Sequence, residues 1–334
     1  MNWFKYRLPN TSDVVSGGSE RVLKGFAKGF VIAPFVNPGD GLMTIPFDIC
    51  NPDSDVSPEK SHIPPSTSRY EHEEEVRSII RALDSGRGKT VAARTIQLDV
   101  NVDLNATFDN LCFSYPDAFV FMFSTKSSGT WIGASPELLL RKDGEFLSTM
   151  ALAGTRPSSS LDKEWDEKNR DEQAMVTEFI IDCLMRHCGT VTAGKTFTKN
   201  AGPIEHICTP ISAYMPDSAL GEEYEESYSN RLRRLLTELS PTPALCGSDR
   251  AKSLELIRNL ENFPREMYGG FCGPNEINGV SAFFVNLRSA KVSPEAAAVY
   301  VGSGITALSS PENEWKETEM KSKTIINKLI TSEV

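Results

Sequence analysis

Apolar residues recur along this chain with two distinct periods. Short runs that are continuously apolar or alternate with polar residues predict strands at TVAARTIQLDV, AFVFMFS, ELLLR, EFLSTMALAG, TVTAGKTFT, IEHICTPISAYM, VSAFFVNLRSAKV and AAAVYVGSGI. Between them, apolar residues three and four apart predict helices near 105–112, 164–187, 221–239, 249–261 and 312–331. YEHEEEVRSIIRAL, from Tyr70 to about Leu83, predicts a further helix, with acids in its first turns and the breaker DSGRG behind it. Residues 1–50 predict short strands and turns, FVIAPF most clearly, and the proline- and serine-rich stretch 51–69 is expected to be a polar loop. Strands come in blocks separated by helices. That order predicts an α+β fold with largely antiparallel sheet, not a Rossmann fold or TIM barrel, and there is no internal repeat and no phosphate-binding glycine motif.

Composition narrows the function classes. The 334 residues are 40% hydrophobic and 24% charged, enough for a sizeable core. A formal charge of −10, with no dense lysine or arginine stretch, argues against nucleic acid and anionic membranes as partners. An anionic ligand must then be held by a few placed cations. No apolar run approaches the ~20 residues of a membrane span, and the start MNWFKYRLPN has no signal-peptide pattern, so a cytoplasmic protein is expected. The seven cysteines are scattered without a CxxC pair, as expected of buried thiols in a reducing compartment; CLMRHC at 183–188 with His206 and Cys208 could be drawn as a metal cluster, but the thiol reading is preferred.

Against that background, a few charged residues sit where burial would cost most. In WIGASPELLLRKDGEFL, Glu137 stands between a proline and three leucines; carried into a core, its carboxyl pKa rises and it becomes an acid able to donate a proton near neutral pH. Alternation in GKTVAARTIQL puts Lys89 on the face of Val91 and Ala93, where desolvation favours the neutral amine; the alternative is an ammonium that snorkels back to water. The helix stripe Met175, Val176, Phe179, Ile180, Cys183 and Leu184 extends backwards onto Glu172, which is thus either aimed along the buried face or half solvated at a frayed start. ENEWKETEMKSK places Glu314, Glu317 and Lys321 on one helix face, as a solvated ladder or, if Glu172 faces them, as carboxylates suited to Mg2+. Gly302 and Gly304 in VGSGI would let backbone N–H groups approach a ligand, and Arg288 could give a carboxylate a bidentate partner or form a structural salt bridge.

Taken in order, GKTVAAR, IGASPELLLR, ALAGTRP, KNRDEQAMV, PTPALCG, REMYGGFCG, FFVNLRSAKV, VGSGI and EWKETEMK resemble the motifs of the chorismate-utilising enzymes, which include isochorismate, salicylate, anthranilate and aminodeoxychorismate synthases. The resemblance implies a domain of two antiparallel sheets flanked by helices with the site between them, residues 86–330 being the catalytic core and residues 1–85 a variable part of the same domain. It implies Mg2+ as cofactor, Lys89 as the base that activates water for attack at C2 of chorismate, and Glu137 as the acid that assists loss of the C4 hydroxyl. Glu172 and Glu317, with Glu314 nearby, fall on metal-ligand positions; Gly154, Thr155, Arg288, Gly302, Gly304 and Lys321 fall on positions that hold the substrate carboxylates. A lysine at position 89 favours water over ammonia as nucleophile. Ala153 stands where some relatives carry a nucleophilic lysine, and Ala244-Leu245 resembles isochorismate synthases. The implied activity is isochorismate synthase, an isomerase feeding menaquinone or siderophore synthesis, acting as a monomer without a glutamine amidotransferase subunit. The alternatives are salicylate synthase, which goes on to eliminate pyruvate, and a non-catalytic chorismate-binding protein. The chain departs from many relatives at Ser240, where they have His, and at Gln173, which follows the metal-helix glutamate in place of His.

Overall fold

The strand-forming runs assemble into two antiparallel sheets in the computed structural model, which describes residues 1–50, 56–83, 88–158, 164–201, 204–216 and 227–332. The eight-stranded sheet runs in the order Ile49–Cys50, Val14–Ser19, Asn2–Arg7, Phe119–Thr125, Gly129–Ser135, Ser289–Ser293, Ala296–Ile305 and Thr90–Leu98. The ten-stranded sheet centres on Ile204–Tyr214, Phe146–Pro157, Leu138–Asp143, Ser281–Val285, Phe271–Asn275 and Gly29–Ala33. Strands from residues 1–50 enter both sheets, so the N-terminal part is integral to the same core.

AFVFMFS reads as continuously apolar because its strand is covered on both faces. Phe119, Phe121 and Phe123 point into the core between the sheets, whereas Val120 and Met122 face a second cluster under the helix Leu104–Ser114. The two sheets meet through stacked rings: Phe119 and Phe284 lie 4.1 Å apart, centroid to centroid. On the outside, the helix Arg69–Ala82 begins at a capping box formed by Ser68 and Glu71, and packs on the C-terminal helix Pro311–Ile326.

The expected elements differ from the observed ones at four places that matter. VSAFFVNLRSAKV is two strands, Ser281–Val285 in one sheet and Ser289–Ser293 in the other, and the crossing point is Arg288, whose φ of 49° leaves the extended region. TVTAGKTFT also divides, into Thr190–Ala193 and Phe197–Ala201, both pairing with Ile204–Tyr214. Phe271–Asn275 and Gly129–Ser135 are strands that the pattern did not isolate. Residues 56–68 carry no regular structure, as expected of the polar loop; the backbone of Gln97 and Thr95 hydrogen-bonds Ser66 and Thr67, so this segment covers the otherwise open edge of Thr90–Leu98. Residues 51–55 of that loop, 84–87 of the breaker and 221–226 of the helix expected at 221–239 lie outside the described residues; the helix there is Tyr228–Leu239.

Candidate active site

A cavity opens where the two sheets diverge, and its walls are built from the irregularities of otherwise regular strands. Phe146–Pro157 pairs residue for residue with Ile204–Tyr214 until Ala153, where the register shifts and resumes at Arg156. The displaced pair is Gly154-Thr155, with Gly154 at φ 71°, a conformation in which a side chain is strained. The Thr155 N–H donates to Asn169 Oδ1 at 3.0 Å, which ties the bulge to the helix Glu167–His187.

Glu137 precedes a second register shift, between Leu138 and Leu140. Its backbone is fixed, the carbonyl accepting from the Val285 N–H and the amide donating to Ser135 Oγ. Its side chain is 3% exposed and accepts one long hydrogen bond, from Thr242 Oγ1 at 3.5 Å. Burial pushes the carboxyl up to about 7, against the opposing pull of Lys89 and Thr242. Glu137 is thus buried, in keeping with the apolar context of ELLLR.

Lys89 is fully buried and its Nζ lies 2.7 Å from Glu172 Oε1. The ammonium has a partner in the resting site, a feature the strand pattern did not suggest. Burial works to raise the Glu172 carboxyl, but Lys89, then Lys168 and Lys321, hold it below the ordinary carboxylate range. The pair passes directly over Gly304: a Cβ there would stand 2.5 Å from Lys89 Cε and 2.8 Å from Glu172 Oε1. Gly304→Ala is therefore expected to force the pair apart and lower kcat/KM about 10²-fold while the circular dichroism stays native, since an ~1 Å displacement of a reacting group has effects of this size. A wild-type rate would show that the tight Lys89–Glu172 geometry has no catalytic consequence.

Around the cavity lie Glu137, Gly154, Thr155, Glu172, Arg288, Gly302, Gly304 and Lys321, with Ala244, Leu245, Tyr268 and Tyr300 as its apolar and aromatic walls. Lys89 stands behind Glu172 and Gly304. Glu314 and Glu317 lie on the helix Pro311–Ile326 and do not line the cavity themselves. Each of the three acids has a lysine on one carboxylate oxygen: Glu172 has Lys89, Glu314 has Lys168 at 2.7 Å and Glu317 has Lys321 at 2.8 Å. Burial and the neighbouring Glu314 raise the Glu317 carboxyl despite Lys321. Lys321 also donates to the Gly302 carbonyl at 3.0 Å, joining the helix to the VGSGI strand.

No group of three or more acids, histidines or cysteines among the described residues is gathered into a ready metal cage. The donor chemistry nevertheless fits a hard cation, because the three carboxylates supply oxygen ligands and Glu314 Oε2 is buried with no hydrogen-bond partner among the described residues. Arg288 has the complementary character. Its guanidinium donates to the Ala201 carbonyl at 3.1 Å and to His206 Nε2 at 2.7 Å, with no ion pair to a carboxylate among the described residues, and burial pulls its pKa down to about 10. A cation facing a cavity with neutral partners only is suited to an anionic ligand.

Two contributors escaped the sequence reading. Lys168 lies in KNRDEQ, and only its distance to Glu314 shows what it does. The sequence suggests His206 only as part of a cysteine-histidine cluster; yet Leu152 pairs with Cys208 across the strands, so the face carrying Cys208 and His206 is the cavity face. Gln173, where many relatives have histidine, is buried and donates to the Ala151 carbonyl and Thr209 Oγ1, tying its helix to the sheet. Ser240 is buried at the C-terminal end of Tyr228–Leu239. All seven cysteines are free thiols, and no helix among the described residues is long and apolar enough to cross a membrane.

The family model for chorismate binding enzymes matches residues 50–330. The isochorismate synthase EntC of Escherichia coli K12 is 32% identical over 251 residues, spanning 72% of this chain and 61% of that protein. The chloroplastic isochorismate synthase 2 of Arabidopsis thaliana is 30% identical over 279 residues, 78% of this chain and 47% of that one. The alignment thus spans less than two thirds of either relative. Among solved structures, MenF, the menaquinone-specific isochorismate synthase from Escherichia coli, superposes with a TM-score of 0.80 at 20% identity, covering 99% of this chain and 89% of the other. Anthranilate synthase component I from Streptococcus pneumoniae shares the fold at a TM-score of 0.69 and 15% identity, covering 97% and 92%.

Proposed function

The chain belongs to the chorismate binding enzyme family, and on that premise we propose that it is a Mg2+-dependent isochorismate synthase. The reading is carried by one juxtaposition: Glu137, a buried acid poised near neutrality, shares a cavity with the Lys89–Glu172 pair and with an arginine that has no carboxylate partner among the described residues. Chorismate is a dicarboxylate whose isomerisation needs a base for the water that attacks C2 and an acid for the hydroxyl that leaves C4. Lys89 takes the proton of the attacking water, and the Glu172 carboxylate 2.7 Å away stabilises the ammonium so formed. Glu137 donates its proton to the leaving hydroxyl, and the ring double bonds shift between the two carbons. One water enters and one leaves, so the overall change is an isomerisation. Arg288, Lys321 and the backbone at Gly154, Thr155, Gly302 and Gly304 hold the carboxylates. Glu172, Glu314 and Glu317 would hold the Mg2+, which when bound supplies charge for a substrate carboxylate.

With water as nucleophile, this reading calls for no amidotransferase subunit, and a cytoplasmic enzyme is proposed. Relatives named as menaquinone-specific and vibriobactin-specific isochorismate synthases leave both destinations of the product open. Incubation of the purified protein with chorismate and Mg2+ is expected to yield isochorismate without pyruvate; pyruvate and salicylate would move the assignment to the lyase branch.

The metal assignment has its own test. Glu317→Ala should abolish the Mg2+ dependence of chorismate binding measured calorimetrically, and weaken metal binding by at least ~10-fold. Unaltered Mg2+ dependence would reduce Glu314, Glu317 and Lys321 to a structural ion-pair ladder.

A further inference from the structure

We infer that His206 is a positioning residue whose neutral imidazole holds Arg288 and the Gly154-Thr155 bulge together as one receptor for a substrate carboxylate. His206 Nδ1 lies 2.7 Å from the Gly154 carbonyl and 3.4 Å from Thr155 Oγ1, and Nε2 lies 2.7 Å from Arg288 Nη2. An arginine can only donate, so Nε2 must be the bare, accepting nitrogen. The proton then sits on Nδ1 and is donated to the Gly154 carbonyl, which can only accept. Every polar atom of the ring is thereby committed, and the ring itself is 8% exposed. Burial, reinforced by Arg288, holds its pKa well below the ordinary histidine value, which keeps the Nδ1–H form through the neutral range.

The consequence concerns two segments far apart in sequence. Gly154-Thr155 is a strand bulge, and Arg288 sits at the crossing between the sheets with a left-handed backbone. Among the described residues, Arg288 has one other hydrogen bond fixing its guanidinium, to the Ala201 carbonyl. Without the imidazole, the Gly154 carbonyl loses its donor and the guanidinium can swing within the cavity. His206 need not touch the substrate; it acts through Arg288 and the bulge.

This inference rests on the proposed reading that the cavity takes chorismate, and the test separates the two. His206→Leu removes both hydrogen bonds, whereas His206→Gln can donate its amide N–H to Gly154 and accept from Arg288. With chorismate and Mg2+, the leucine variant should raise KM about 10- to 100-fold with kcat changed far less, the effect of losing a hydrogen bond to a charged group. The glutamine variant should recover to within a few-fold of wild type. Equal behaviour of the two variants, whether both active or both impaired, would overturn the role. In the wild-type protein, nitrogen-15 NMR of the imidazoles should place the His206 proton on Nδ1, the signal being identified by its loss in His206→Gln; a proton on Nε2 would overturn the inference even if the variants fold poorly. Absence of any chorismate turnover or binding by the wild type would sink the functional reading instead, while the tautomer would still decide the His206–Arg288 contact.

Discussion

Glu137→Gln is expected to lower kcat on chorismate by about 10²- to 10⁴-fold, the usual worth of a positioned general acid, while leaving the affinity for chorismate within a few-fold. Glutamine keeps the shape and can keep the Thr242 contact, but it has no proton to give. The pH dependence supplies a second reading of the same group. Burial raises the folded-state pKa to about 7, so the acid is protonated and competent below that pH and loses activity as pH rises through it. The wild-type kcat/KM profile should therefore fall on its basic side near neutrality, and in the glutamine variant that limb should flatten.

Stability follows the same sign. In the unfolded chain Glu137 ionises in the ordinary carboxylate range, whereas in the fold it resists ionisation until about pH 7. The cost of burying its charge is therefore absent at low pH, accumulates as pH rises between those two values, and is constant above, amounting to something on the order of 3 kcal/mol. Glu137→Gln should remove this dependence, so that the variant melts higher than wild type at pH 8 and about level with it at pH 4. A variant with full activity, or a wild-type melting curve indifferent to this substitution at both pH values, would show that Glu137 is a buried structural residue.

Lys89→Ala is expected to lose at least ~10³-fold in kcat, and its informative companion is Lys89→Arg. Arginine keeps a cation beside Glu172 but cannot surrender a proton in a protein. If Lys89 acted solely as counter-ion to Glu172, the arginine variant would retain most of the rate; if Lys89 takes the proton from water, both variants fail alike. The alanine variant has a further signature. Glu172 is held low by Lys89 against the effect of burial, so removing that cation should raise the Glu172 pKa and, through it, weaken metal binding at neutral pH. Isothermal titration with Mg2+ across pH 6 to 8, on wild type and both variants, reads this directly. Retained turnover in Lys89→Arg would assign the base elsewhere.

How much of this is legible in the sequence depends on what kind of signal each residue leaves. The sheets announced themselves because strands covered on both faces, such as Phe119–Thr125, must be apolar throughout. Glu137 was legible for the opposite reason: an acid set against Leu138, Leu139 and Leu140 violates the pattern, and a violation invites an explanation. The glycines of VGSGI were legible as a place of close approach, although what approaches Gly304 is the Lys89–Glu172 pair and not a ligand alone.

What stayed hidden were relations across the fold. VSAFFVNLRSAKV shows one apolar period from end to end, and nothing local marks Arg288 as the point where the chain changes sheets, because that turn is imposed by the packing of two sheets on a shared core. The helix stripe led back to Glu172, but the residue that enters the sheet is its neighbour Gln173, leaving Glu172 free to face the cavity. Lys168 and His206 carry no sequence signature of their roles, since each is defined by one partner more than fifty residues away, Glu314 and Arg288 respectively. Spacing can place a residue on a face, but it cannot say what stands opposite.

The measurement that bears most directly on the assignment is product analysis after incubation with chorismate and Mg2+ in 18O-labelled water, with a metal-free control. The account predicts isochorismate carrying solvent oxygen on C2, no pyruvate, and no conversion without metal. Isochorismate without solvent label, or unchanged chorismate from a correctly folded protein that binds it, would contradict a mechanism in which Lys89 activates water and Glu137 expels the hydroxyl.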